Sequence, residues 1–182
     1  MTIITPLDAL LDPTGADTRE TDATLAPRPE SLHGLTVGLL DNTKPNAIFL
    51  LEQIGSGLQF RFGAGELKLY HKDYFGTPAT PELIELIAAE CDVVITAVGD
   101  CGSCSAATTA DGILLERAGV PTVAICSDAF DMSARAMAEV QGFAGFEYLT
   151  IAHPVASLDA AQLSERALEA LPAIGRILGS EA

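Results

Sequence analysis

The residues best suited to chemistry lie together in Asp100-Cys101-Gly102-Ser103-Cys104-Ser105, between a β-branched apolar run and a stretch of helical character. Two thiols three positions apart can act in sequence: Cys101 attacks a substrate, then Cys104 attacks the adduct and releases the product as an intraloop disulfide. Backbone N–H groups at a helix start favour negative charge, and they lower a thiol pKa from about 8.5 toward neutrality. Gly102 lets the backbone approach a substrate closely, while Ser103 and Ser105 offer hydroxyls or N-cap oxygens. Zinc binding and an inert turn are the competing readings of this loop. Zinc takes about four ligands, and the remaining cysteines are Cys91 and Cys126. Cys126 belongs to the same edge, whereas Cys91 precedes its strand and is expected as a buried structural thiol.

Three further segments carry candidate side chains. In Asp41-Asn42-Thr43-Lys44-Pro45-Asn46, Lys44 can bind a substrate carboxylate or stabilise a thiolate, and Asn46 can hydrogen-bond a carbonyl or cap the next helix. Asp41 fits less well, since a carboxylate beside a thiolate raises its pKa. Ser127-Asp128 offers a hydroxyl and a general acid or helix cap. His153 offers an imidazole that can pass a proton to a leaving group. His71 and His33 stand where nothing else in the sequence points to chemistry.

These residues need a scaffold that gathers them. The pattern predicts strands at Leu35–Leu40, Glu66–Tyr70, Asp92–Val98, Pro121–Cys126 and Tyr148–Ile151. Helices are predicted over Ala47–Ile54 ending at Gly55-Ser56-Gly57, from Thr80-Pro81, from about Ser105 to Ala118, over Met132–Gln141, and from Leu158 onward with an interruption at Pro172. Such alternation implies an α/β fold, a three-layer α/β/α sandwich on a mostly parallel sheet of about five strands. It would be flavodoxin-like or similar to half of an aspartate/glutamate racemase. In the order 2-1-3-4-5, the Asp41–Asn46 loop faces the cysteine loop across the point where ligands bind.

Composition bounds the rest. At 182 residues, 48% of them hydrophobic and 19% charged, the chain suits one globular domain of about 100–200 residues. Residues 1–31, rich in Pro and acids, are expected as an irregular arm, with 32–182 as the single α/β domain. Ten basic against 25 acidic residues give a net charge of −15, which opposes nucleic acid and anionic membrane surfaces. There is no basic-then-apolar leader, so a reducing cytoplasm is expected. Neither a dinucleotide fingerprint nor a Walker loop is present, and no bound cofactor is expected. The apolar patches Leu7–Leu11 and Leu25–Ala26 of the arm suit a homodimer or a partner subunit.

The stretch from Thr96 to Cys126, with the cysteine loop, Glu116-Arg117-Ala118-Gly119-Val120-Pro121 and Cys126, resembles the UGSC family of (seleno)proteins. In that family the first motif position, here Cys101, can be selenocysteine. The resemblance extends to Leu11-Asp12-Pro13-Thr14-Gly15, Ala26-Pro27-Arg28-Pro29, Ser31-Leu32 and Leu39–Ala47. More distantly, the segment is similar to the selenocysteine region of the B component of glycine, sarcosine and betaine reductases. That resemblance implies attack on an activated carbon and cleavage of a carbon–heteroatom bond. Sulfur in place of selenium is the weaker nucleophile, and no pyruvoyl-forming segment is recognisable.

The expected function is therefore that of a thiol-dependent enzyme: nucleophilic, reductive cleavage of a carbon–heteroatom bond in a small anionic organic molecule by Cys101 and Cys104, with an external thiol or thioredoxin-type protein as reductant. A non-redox cysteine lyase, hydrolase or isomerase, with Cys126 as second base, is one alternative. A redox-sensing interaction subunit is the other.

Overall fold

The computed structural model describes residues 23–180, so the Leu7–Leu11 patch and the Leu11–Gly15 segment lie outside the described residues. The elements run β1 (Val37–Asp41), α1 (Ala47–Phe62), β2 (Leu67–His71), α2 (Pro81–Glu90), β3 (Val93–Gly99), α3 (Gly102–Arg117), β4 (Thr122–Ser127), α4 (Asp131–Val140), β5 (Leu149–Ile151) and α5 (Ala160–Ile177). A short 3₁₀ turn, Asp128–Phe130, joins β4 to α4. The five strands form one parallel sheet in the order β2-β1-β3-β4-β5. This is the flavodoxin-type order, and its switch point lies between β1 and β3.

The strand sequences explain the layers. Every residue of β1, β3 and β4 is buried, as expected for continuous apolar runs covered on both faces. Val37, Leu39, Val93, Ile95, Val123 and Ile125 face α1 and α5, which pack on each other. Leu40 and Val94 meet α2 on the other side, and Ala124 meets α4 with Phe143 and Phe146. This is a three-layer α/β/α sandwich.

Two sequence expectations about the helices are corrected. The first helix does not break at Gly55-Ser56-Gly57; it continues to Phe62. A Cβ on Gly55 would come within 2.9 Å of Leu67 Cδ1, and one on Gly57 within 2.6 Å of Leu171 Cδ1. These glycines allow close packing of α1 on the sheet and on α5; they are not stops. Helix α5 likewise runs through Pro172 uninterrupted. The missing hydrogen bond there is offset by burial of Leu171, Ile174 and Ile177 on either side.

The described part of the arm has no helix or strand. It is held by Glu116, whose Oε2 accepts from Ala26 N and Arg28 Nη1, each at 2.8 Å, while Oε1 accepts from Thr122 N at 2.7 Å. Among the described residues no helix is long and apolar enough to cross a membrane.

Candidate functional site

The carboxyl ends of the strands bring most of the candidate residues to one edge. Strand β3 ends at Gly99, where a Cβ would come within 2.6 Å of Ser105 Cα and 2.7 Å of Cys126 Sγ. Glycine is therefore required for α3 to start so close to the strand. The helix begins at Gly102, three residues earlier than the sequence predicts, because Cys101 itself is the N-cap: its Sγ accepts from Cys104 N at 3.4 Å. The sulfur thus lies at the positive end of a helix of 16 residues.

Cys101 and Cys104 are joined as a disulfide, their Cα atoms 5.4 Å apart. Cys101 is partly exposed and Cys104 fully buried, so an incoming molecule meets Cys101 first. Ser103 is exposed, with Oγ 3.7 Å from Cys101 Sγ. A Cβ on Gly102 would meet only Ser133 Oγ, at 3.6 Å, an ordinary contact. Packing inside the fold does not require glycine there, and the loop surface beside Cys101 stays open.

His153 stands next to this loop. Its Nδ1 is 2.9 Å from Asp100 Oδ1 and 3.3 Å from Ser127 Oγ, and its backbone N–H donates to Asp128 Oδ1 at 3.1 Å. Asp100 is nearly buried, and its Oδ2 accepts from Val155 N at 3.0 Å and Ala156 N at 2.9 Å. Burial pushes the Asp100 carboxyl up, but the N–H groups of Ala156 and Val155, the Ser127 hydroxyl and His153 outweigh it and hold the carboxyl below its usual range. An ionised Asp100 fixes Nδ1 as the protonated nitrogen and leaves Nε2 to exchange protons. Phe130 meets the ring edge-on, 5.4 Å between centroids.

Several expected roles change. Ser105 is fully buried inside the first turn of α3, and its hydroxyl has no hydrogen-bond partner among the described residues; it neither caps the helix nor reaches a substrate. Ser127 is also fully buried, donating to Gly99 O at 3.2 Å, so it positions the loop and the imidazole. Asp128 is exposed but fixes the backbone of His153. Asn46 adopts a left-handed conformation (φ 70°) at the start of α1 with no side-chain cap. Its amide donates to Val155 O at 3.0 Å and Leu158 O at 2.9 Å, which ties it to the segment that holds Asp100.

The other wall is the β1 loop. Asn42, fully buried, donates from Nδ2 to Val98 O at 2.9 Å and to Thr108 Oγ1 at 3.2 Å. It locks this loop onto β3 and α3. Lys44 is partly exposed, and its ammonium lies 4.4 Å from the centre of the Phe75 ring. It forms no ion pair with the described residues, whereas Arg28, Lys68, Lys72, Arg135, Arg166 and Arg176 all do.

The two remaining thiols are removed from this surface. Burial pushes the Cys126 thiol up to about 12, and its neighbours are Thr109 Oγ1 at 3.8 Å and Ser105 O at 3.7 Å. Burial also raises Cys91, at the amino end of β3.

Sequence reasoning missed the roles of Asp100, Asn42 and the Asp41–His71 pair, in which His71 Nδ1 lies 2.9 Å from Asp41 Oδ2. Asp41 and His71 are register partners on neighbouring strands, so the strand order could have suggested that contact. His153 is 53 residues from Asp100, and nothing in the local sequence announces their pairing.

No curated protein matches the chain. The model of the UGSC family matches residues 9–180, a span that takes in the cysteine loop, the β1 loop and His153. On that match the chain belongs to the UGSC family.

Proposed function

We propose that the protein is a thiol-dependent enzyme that cleaves a carbon–heteroatom bond reductively in a small organic anion. Cys101 is the nucleophile. Its thiol gives a proton to Nε2 of His153, which Asp100 orients, and the sulfur attacks a substrate carbon bearing a leaving group X. A C–S bond forms as the C–X bond breaks. Cys104 then attacks the Cys101 sulfur; the S–S bond forms, the C–S bond breaks, and the electron pair left on carbon takes up a proton. The sum is R–X + two thiols → R–H + HX + one disulfide, with carbon reduced by two electrons and the thiol pair oxidised. An external dithiol, of small-molecule or thioredoxin type, restores the pair by exchange.

The carbon must lie next to a carbonyl or carboxyl group, because the resolving step leaves negative charge on it. Lys44 is suited to bind such a carboxylate. The observation that carries the reading is the Cys101–Cys104 pair at the N-terminus of α3, its outer sulfur beside the residue that orients His153. The distant resemblance to the glycine reductase B component supports the same reaction type.

For a two-base isomerase, the second thiol, Cys126, is fully buried with its pKa pushed up to about 12; it is a poor base. The test is intact-mass screening of reduced Cys104→Ser with organic acids that carry a leaving group beside the carboxylate. A substrate should leave a covalent adduct on Cys101 in the variant, and should drive the wild type to the disulfide with release of R–H. Full turnover of such a substrate by Cys101→Ser would overturn the reading.

A further inference from the structure

The reaction proposed above sets a geometric demand that His153 does not meet. In a direct displacement at carbon, the nucleophile and the leaving group lie on opposite sides of the reacting atom. His153 is bonded to Asp100, the residue before the nucleophile, and so stands on the same side as Cys101. It is placed to take the thiol proton. A proton for the leaving group has to come from the facing wall.

That wall holds a second imidazole of the same construction. His71 ends β2 and Asp41 ends β1, paired in register. His71 Nδ1 is 2.9 Å from Asp41 Oδ2, and the exposures of the two side chains are 51% and 6%. The carboxylate is thus buried and fixed, with Oδ1 accepting from Thr43 N at 2.9 Å, while the imidazole is open to the sheet edge. Asp41 pairs in turn with Ala97 of β3. His71 therefore stands two strand spacings from β3, roughly 10 Å at the backbone, and the gap between them is spanned at the sheet edge by the end of β1. Lys44 flanks the gap on the His71 side, over Phe75 of the β2–α2 loop.

The base of that loop is rigid. Lys72 Nζ lies 2.5 Å from Asp111 Oδ2, and Ala79 N donates to Asp111 Oδ1 at 2.6 Å, all buried. One carboxylate on α3 thus holds both ends of residues 72–79, which keeps His71, Lys72's neighbour, in a fixed relation to the helix that carries the cysteines.

We infer that the Asp41–His71 pair is the general acid of the site: His71, as the imidazolium, donates Nε2–H to the leaving group across the gap from Cys101, and Asp41 positions the ring. This rests on the proposed thiol chemistry and assigns its second proton. The assignment limits the substrate class to anions whose leaving group needs a proton, an oxygen or nitrogen substituent and not a halide.

Two probes separate that role from thiol reactivity, used on reduced Cys104→Ser, in which the resolving step cannot remove the adduct, with alkylation of Cys101 followed by mass spectrometry; each further substitution is made in that background. Iodoacetate loses iodide, which requires no acid. Glycidate, the epoxide of a three-carbon acid, reacts by C–S formation and C–O cleavage, and its alkoxide takes up a proton; no oxidant or reductant is involved. His71→Gln should slow the glycidate reaction about a hundredfold and leave the iodoacetate rate unchanged. His153→Gln should slow both, since both need the thiolate. Asp41→Asn should reproduce the glycidate defect in weaker form. If His71→Gln affects both probes equally, or neither, the acid assignment fails while the thiol reading stands. If Cys101 of Cys104→Ser, with His71 intact, reacts with neither probe, the thiol reading fails and this inference with it.

Discussion

Asp100 is the residue on which the site turns. One oxygen fixes His153 and the other holds two backbone N–H groups of the segment that follows, so one carboxylate couples the thiol loop to the imidazole proposed as its base. Asp100→Asn keeps the shape but not the charge. Iodoacetamide should then alkylate reduced Cys101 at least roughly tenfold more slowly, because the ring loses the partner that fixes its tautomer. The same variant bears on stability. The folded-state pKa of Asp100 is depressed, so its contribution is present above the ordinary carboxylate range and is lost as pH falls through the folded value. Urea titrations at decreasing pH should show a shallower acid loss in Asp100→Asn than in wild type; an identical loss would mean that Asp100 is not held ionised.

At the scale of elements, the order of strands and helices was legible because the apolar runs have strand or helix periods that survive without tertiary information. Gly55, Gly57 and Pro172 misled for one reason: local propensity reads them as stops, whereas contacts with Leu67 and Leu171 turn two of them into packing requirements. The cysteine loop was legible from spacing alone. The roles of Ser105, Ser127 and Asn46 were not, because a hydroxyl or amide beside a loop can face inward or outward, and only packing decides which. The Lys72–Asp111 pair belongs to this scale. Lys72→Met should cost about 3–5 kcal/mol, since it leaves a buried carboxylate unpaired. Replacing both residues by apolar ones should recover much of that loss in urea midpoints, and a single variant as stable as wild type would contradict the pairing.

Across the whole molecule, the charge of −15 gives the site its context. An acidic surface repels anions, and within it Lys44 is a cation without a carboxylate partner among the described residues, at the edge where parallel sheets bind ligands. The four thiols divide by depth along the same axis. Cys91 lies in the core at the far end of β3, Cys126 is sealed beneath α3, Cys104 is buried but bonded to its neighbour, and Cys101 alone of the four has partial exposure. The most direct test is the pH dependence of iodoacetamide alkylation in the fully reduced native protein, resolved by cysteine through peptide mapping. The account predicts that Cys101 reacts first and titrates below an ordinary thiol, while Cys91 and Cys126 stay unlabelled until the protein is unfolded. A Cys101 with the pH profile of an ordinary thiol, or no more reactive than Cys126, would contradict it.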